Sequence, residues 1–343
     1  MRLYITGATG FVGRAVVAEA LRRGHEVVAV VRPASARSIV DTAPTDAVLT
    51  EARVDLRSPD GLTESLRGAD SVIHLAAAKS GDFYTQFAGT VVATENLLAA
   101  MAEAGVDQLV AISTFSVYDY LAMPTGSLLN EESPLDTDPA LRDEYARTKL
   151  IQERLYRDFG AVPDHDVTIL RPGMIYGPGN LWHALLGADL GPRFLRIGNK
   201  AVLPLTYVEN CAEAIIDTAE ALAARPEDLA GEIINIVDDD LPTQQAYAEQ
   251  VAARIEIPPT VSIPWPAMNA ATTILKKANG WFVGGRAKFP GIAVPDRLHA
   301  RFKPLRYTNA KAKRLLGWTP RYGLGEALDR SVEAERSTET VPA

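Results

Sequence analysis

A single cysteine, Cys211, stands among 343 residues, so no disulfide can form within the chain and a disulfide-stapled secreted fold is excluded. A reducing, cytoplasmic setting is expected, with Cys211 a small buried side chain. Histidine is sparse as well, at five. No His, Cys and carboxylate grouping has the spacing of a metal site, and no metal is expected. No apolar run approaches the roughly 20 residues of a membrane-spanning helix, and the first residues lack the marks of a secretory signal. Basic charge is in deficit: 35 Lys and Arg face 43 Asp and Glu, a net charge of −8. Nucleic acid, which recruits a basic face, is therefore not an expected partner. With 47% apolar and 23% charged residues, the chain has the balance of a globular protein with one large core or two modest ones.

What the chain does have, at its start, is glycine where backbone must bend. Thr6-Gly7-Ala8-Thr9-Gly10-Phe11-Val12-Gly13 places three glycines at a three-residue spacing between an apolar run, Leu3 to Ile5, and an amphipathic segment. A strand that turns tightly into a helix needs glycine at positive φ, and again where backbone approaches a pyrophosphate. The helix that follows aims unsatisfied N–H groups and the positive end of its dipole at the phosphates. The first spacing is one residue longer than in the common dinucleotide fingerprint.

Apolar, β-branched runs then alternate with helix-period segments. Strands are expected at Leu3 to Ile5, Glu26 to Val31, Arg53 to Leu56, Asp70 to Ala77, Gln108 to Ser113 and Val167 to Arg171, with a return strand at Glu232 to Val237. Helices are expected at Phe11 to Arg23, after a Ser58 cap with Pro59 in the first turn, and over Phe83 to Ala104 and Arg142 to Phe159. The rhythm implies an α/β fold with a doubly wound parallel sheet covered on both faces. Residues 1–175 form its dinucleotide-binding domain, 176–330 mainly a smaller substrate lobe, and 331–343, polar and small, a flexible tail.

Tyr145 and Lys149 lie one helical turn apart, so a phenol and an ammonium share a face. A tyrosine titrates near 10, and a neighbouring cation favours its phenolate. Ser113 and Thr114 place hydroxyls at the end of the fifth strand, the edge at which open α/β sheets bind ligands. The second strand ends in Arg32, with Ser35 and Arg37 beyond it. A guanidinium there attracts the 2′-phosphate of NADP(H), where a carboxylate would repel it. NADP(H) is the preferred cofactor and NAD(H) stays open, because Arg32 can also stack on adenine.

Six motifs in order carry a resemblance that spans residues 1 to 330: TGATGFVG, HLAA (His74 to Ala77), ISTFSVY (Ile112 to Tyr118), YARTK, LRPGMIYGPG (Leu170 to Gly179) and LLGWTPRYGLGEAL (Leu315 to Leu328). The chain resembles an extended short-chain dehydrogenase/reductase of the NAD-dependent epimerase/dehydratase family, in its 3β-hydroxysteroid-dehydrogenase-like branch. The resemblance implies a Rossmann-type fold, Tyr145 as acid/base, and Lys149 as the residue that holds the nicotinamide ribose and lowers the tyrosine pKa. It implies Thr114 as the catalytic hydroxyl, with Ser113 as its alternative. It also implies that Thr9, Gly10, Phe11 and Val12 line the pyrophosphate, Asp55 and Leu56 the adenine, and Leu75, Ala76 and Ala77 the adenosine ribose. Pro172, Gly173 and Ile175 would face the carboxamide. A homodimer through the helices near residues 83–104 and 142–159 is expected on the same ground.

Departures narrow the chemistry. Phe115 and Ser116 follow Thr114 where nucleotide-sugar dehydratases carry Asp-Glu, which argues against dehydration. Thr90 replaces an asparagine of the family pattern and leaves any proton relay undefined. Lys276, Lys277, Arg286, Lys288, Arg297, Arg301, Lys303 and Arg306 cluster around one acid, Asp296. They suit an anionic substrate, an anionic membrane surface or a solvated lid face. His74, in an apolar strand, reads as a scaffold residue. The expected activity interconverts a carbonyl and a secondary alcohol by hydride transfer on a small molecule, neutral or anionic. A nucleotide-sugar 4-epimerase that retains NAD and a non-catalytic dinucleotide-sensing regulator are the alternatives.

Overall fold

Alternating buried runs and amphipathic segments fold as their periodicities dictate in the computed structural model, which describes residues 1–35, 39, 48–182, 186–189, 191–282 and 294–339. The chain begins β1 (Arg2–Thr6), α1 (Phe11–Arg22), β2 (Glu26–Val31), β3 (Leu49–Arg53), α2 (Leu62–Leu66) and β4 (Ser71–His74). Next come α3 (Phe83–Phe87), a π-helical turn (Ala88–Val92), α4 (Ala93–Ala104), β5 (Gln108–Ile112), β6 (Leu128–Leu129), α5 (Glu144–Gly160), β7 (Asp166–Pro172) and β8 (Met174–Tyr176). The second half holds β9 (Gly187–Asp189), β10 (Phe194–Ile197), β11 (Leu205–Tyr207), α6 (Val208–Ala224), α7 (Pro226–Leu229) and β12 (Ile233–Ile236). It closes with α8 (Gln244–Ala252), β13 (Thr260–Ile263), α9 (Trp265–Phe282), α10 (Pro295–Phe302), β14 (Arg306–Tyr307), α11 (Ala310–Leu316) and α12 (Leu324–Glu339).

Seven strands make one sheet in the order β12-β7-β5-β4-β1-β2-β3, and every pairing within it is parallel. This is a Rossmann-type doubly wound sheet. Its order reverses between β1 and β4, so connections leave those two strands in opposite directions and open a crevice at their carboxyl ends. Helices α1 and α6 cover one face, where Val16, Val17, Ile215 and Ile216 pack on Leu3, Ile5 and Ile73. Helices α2, α4 and α5 cover the other, with Leu62, Leu97, Met101 and Tyr156 against Tyr4, Val72 and Leu109.

Four local expectations need correction. The third strand runs Leu49–Arg53 rather than over Arg53 to Leu56, because pairing with Val27 to Val31 sets its register. Ser58 bonds Asp60 in a turn, and α2 starts only after Gly61. The helix expected over Phe83 to Ala104 carries a π turn at its centre, where Thr90 Oγ1 accepts the Ala78 N–H at 3.0 Å. The expected tail is helical to Glu339, with Ser331 and Val332 buried. Helix propensity there gains a docking surface, the cluster of Tyr207, Tyr247 and Val251 that Ala327, Leu328 and Val332 join. Beyond the large sheet, β9, β10 and β13 form a small sheet, and β14 pairs with β6. This brings the segment after β5 into contact with the second lobe, where Phe115, Tyr118 and Tyr120 pack with Val237 and Leu305.

Candidate active site at the carboxyl edge of the sheet

Strand β1 enters the glycine turn with Gly7 at φ +68°, and Gly10 N–H closes the turn on Gly7 O at 2.9 Å. A Cβ on Gly13 would sit 2.1 Å from Gly7 O and 2.8 Å from Ala8 Cα, both backbone. Gly13→Ala should therefore cost about 1–3 kcal/mol of stability through overpacking and weaken dinucleotide binding, read by chemical denaturation and by nicotinamide fluorescence titration. The first turn of α1 holds no acidic residue and no side-chain cap, which leaves its amides and dipole to an anion. A dinucleotide pyrophosphate fits this end of the crevice.

At the other end, Thr114 caps a short 3-10 turn, its Oγ1 accepting Ser116 N–H at 3.2 Å. The half-buried Tyr145, on the first turn of α5, brings its phenol near the Thr114 side chain. Asp143 caps α5 by accepting Ala146 N–H at 2.9 Å, which fixes where this turn begins. Burial pushes the phenol up to about 12; the nearby Thr114 side chain offsets part of the rise and the Asp143 charge adds to it. Lys149 does not draw it down as the sequence suggested. Its ammonium is buried and donates to Ile112 O at 2.6 Å and to Gln152 Oε1. Burial lowers Lys149 to about 7; the Glu153 charge opposes that and Lys79 adds to it.

Ser113 is engaged elsewhere. Its hydroxyl donates to Glu153 Oε2 at 2.5 Å, and Glu153 holds Arg171 through two bonds, at 2.5 and 3.0 Å. Arg171 reaches Tyr118 Oη at 2.9 Å, and Tyr118 donates on to Asn235 at 2.7 Å. Thr114, not Ser113, is the hydroxyl beside Tyr145.

The model of the NAD dependent epimerase/dehydratase family matches residues 3–236. The chain belongs to this family. It is an NAD-dependent enzyme of the short-chain dehydrogenase/reductase type. It is 30% identical to a 2-alkyl-3-oxoalkanoate reductase of Stenotrophomonas maltophilia, in an alignment covering 65% of this chain and 66% of that protein. It is 28% identical to a 3 beta-hydroxysteroid dehydrogenase/Delta 5-->4-isomerase of Mycobacterium tuberculosis, over 95% of this chain and 88% of the relative. A UDP-glucose-4-epimerase from Stenotrophomonas maltophila, solved with bound NAD and formylated UDP-arabinopyranose, shares the fold at TM-score 0.75 and 20% identity, with 99% of each chain covered.

Around the crevice of this family member, Thr9 lends its carbonyl to Arg14 at 3.0 Å, and Phe11 and Val12 are half-buried beside the turn. Leu75 and Ala76 N–H groups both bond Thr6 Oγ1 at 3.2 Å, which ties the end of β4 to β1, with Ala77 half-buried just beyond. Pro172 ends β7, Gly173 N–H bonds Ile236 O at 3.0 Å, and Ile175 O takes the Asn180 amide at 2.8 Å. Leu56 is buried in the core rather than presented to the crevice, while its carbonyl takes Asn96 Nδ2 at 2.9 Å. Asp55 pairs with Arg57 at 2.6 Å, whose hydrogen bonds hold its carboxyl below the ordinary range with help from the Arg32 charge. Arg32 is exposed just past β2. Arg37 lies outside the described residues.

The basic cluster is not a uniform solvated face. Lys303 is buried and donates to Tyr120 O and Met123 O; Arg297 donates to Arg142 O at 3.2 Å, and Arg301 lies 3.6 Å from Asp143. Arg297 and Arg301 thus stitch α10 to the start of α5, and Lys303 ties its end to the segment after β5. Lys277 is exposed, whereas Arg286 and Lys288 lie outside the described residues. Phe115 faces an aromatic cluster and stacks with Tyr307 at 5.9 Å. Among the described residues no His, Cys and carboxylate group could hold a metal, and no helix is long and apolar enough to cross a membrane. Sequence reading missed Gln152, Glu153 and Arg171. The signal was available, since a Gln-Glu pair directly follows Lys149 by one turn on a face that otherwise packs inward.

Proposed function

We propose that the chain reduces a carbonyl to a secondary alcohol with NADP(H), and that Tyr145, Thr114 and Lys149 perform the proton work. The observation that carries this reading is the Tyr145 phenol set beside the Thr114 hydroxyl at the carboxyl edge of the sheet. A bound nicotinamide supplies the hydride. Thr114 orients the substrate oxygen, and Tyr145, protonated at neutral pH because burial raises it, donates the proton. Lys149 holds the ribose from the Ile112 side. The names of the reductase and hydroxysteroid dehydrogenase relatives support carbonyl and alcohol chemistry. The exposed Tyr84 and Ile151, on α3 and α5, support a homodimer through those helices.

The NADP(H) preference rests on Arg32. Arg57 pairs with Asp55 and the Arg32 charge acts on the same carboxylate, so this group of three carries a net positive charge that suits a 2′-phosphate. Charge-assisted hydrogen bonds are worth about 1.5–3 kcal/mol. Arg32→Ala is thus expected to weaken NADPH binding by roughly 10- to 150-fold and leave NADH binding little changed, as read by fluorescence titration. Equal affinity of the unaltered protein for both cofactors removes the preference.

The reaction itself is tested by following nicotinamide absorbance across neutral ketones, 3-oxo acids and nucleotide sugars. Oxidation of NADPH by a ketone or oxo acid supports the proposal and tells whether an anionic group is required. Interconversion of nucleotide sugars without net absorbance change identifies the epimerase instead. Dinucleotide binding with no turnover on any of them points to a sensing role.

A further inference from the structure

Helix α5 buries Gln152 completely, and a buried amide must place its donors and acceptor on partners. Lys149 offers N–H groups, so Gln152 presents Oε1 to it and turns Nε2 toward Thr94 Oγ1, 2.8 Å away. The Thr94 hydroxyl gives its own proton to Thr90 O at 2.6 Å. Its oxygen therefore accepts from Gln152 and also from His74 Nε2, at 2.9 Å. Burial, with the Lys149 charge, lowers His74 to about 3, so the ring is neutral and carries its proton on Nε2. His74 Nδ1 then accepts the Thr6 hydroxyl at 2.6 Å. Thr6 Oγ1 in turn accepts Leu75 and Ala76 N–H, each at 3.2 Å. This assignment of hydrogens runs from the ammonium to the strand that feeds the glycine turn; it leaves the second Gln152 N–H to Ala76 O, 3.4 Å away, and makes the 3.4 Å approach of Gln152 Nε2 to His74 Nε2 a contact of two donors rather than a hydrogen bond.

We propose that Gln152 is a positioning residue that fixes the Lys149 ammonium in the crevice wall, and that this buried network anchors the ammonium without passing its proton inward. The geometry supplies the reason. Gln152 meets Thr94 through an amide N–H that has no basic lone pair, and both lone pairs of Thr94 Oγ1 are occupied. A proton leaving Lys149 or Tyr145 has no acceptor along this path, and exchange takes place on the crevice side. The asparagine of the family pattern is replaced by Thr90, whose side chain serves Ala78 N–H, and the acceptor for the lysine comes from its own helix one turn on.

The assignment rests on the proposed role of Lys149, but its test does not depend on turnover. The charged and titratable groups around Lys149 are Glu153 on α5, His74 on β4 and Lys79 on the loop after β4, and none of them is altered. In protein labelled with ¹³Cε-lysine, the Lys149 signal is identified by its loss in Lys149→Met and followed against pH. Gln152→Met removes an acceptor for the ammonium and should move the titration down by about one pH unit or more, whereas Gln152→Glu adds a carboxylate and should move it up by about as much. A titration unmoved in both variants overturns the proposal. Circular dichroism establishes folding, and if Gln152→Met does not fold, the direction of the Gln152→Glu shift decides alone. Full turnover in Tyr145→Phe would remove the proposed reaction and leave these shifts standing; an unmoved Lys149 beside an inactive Tyr145→Phe would remove only the role of Gln152.

Discussion

Tyr145→Phe is expected to bind dinucleotide as the unaltered protein does while kcat falls by about 10²–10⁴-fold, the usual contribution of a positioned acid or base. The substitution keeps the ring and its packing on α5 and deletes only the oxygen that meets Thr114. Fluorescence titration reads the first half of the expectation, steady-state kinetics the second. The direction of the phenol's shift adds a pH signature. Because burial raises Tyr145 to about 12, the proton-donating form is fully present at neutral pH, so carbonyl reduction should not lose its acid until the phenol ionises at far higher pH. Alcohol oxidation needs that proton gone, and its rate should climb with pH over the same range. Turnover retained in Tyr145→Phe, or an oxidation rate that falls as pH rises from neutral, would place the proton chemistry on another group.

The main sheet was legible in the sequence because its strands are buried on both faces and read as continuous β-branched runs. Glu26 to Val31 was bounded to the residue. Its neighbour β3 lies elsewhere than expected because only Leu49 and Ala52 of its five residues are apolar and its position is set by pairing across the sheet edge. The C-terminal helix was mistaken for a tail because its outer face is polar, while the residues it docks on are distant in sequence. At the site, Tyr145 lies beside Thr114, and Lys149 follows Tyr145 by one turn on α5. The electrostatics between them were not legible. Spacing alone puts Tyr145 and Lys149 on one face, but the ammonium is drawn to Ile112 O and Gln152, and a backbone carbonyl on another strand leaves no mark in a motif.

Glu153 carries the largest expected effect on stability. It is 2% exposed and Arg171 1%, and the pair joins α5 to β7 directly beneath the end of β5. Breaking a buried pair by removing one partner typically costs about 3–5 kcal/mol, since the remaining charge is left uncompensated. Glu153→Gln should show a loss of that order at neutral pH in chemical denaturation. Replacing both residues by methionine should cost less than Glu153→Gln alone, because no stranded guanidinium remains. The pH dependence has a definite sign. Burial pushes the Glu153 carboxyl up, but the bonds and charge of Arg171, with Ser113 and Arg157, outweigh it and hold the group at about 2, below its ordinary 4.5. A carboxyl depressed by folding contributes fully above its unfolded value and loses that contribution as pH falls toward its folded one. The gap in stability between the parent and Glu153→Gln should therefore be widest above pH 4.5 and close as the solution is acidified toward pH 2. Because Ser113 donates to this same carboxylate and Thr114 follows it in the chain, the variant should also loosen the hydroxyl that faces Tyr145. A fall in kcat at neutral pH beyond what the folded fraction explains would show that the pair orders the site as well as the fold; a gap that widens in acid would show that Glu153 is not the group held ionised.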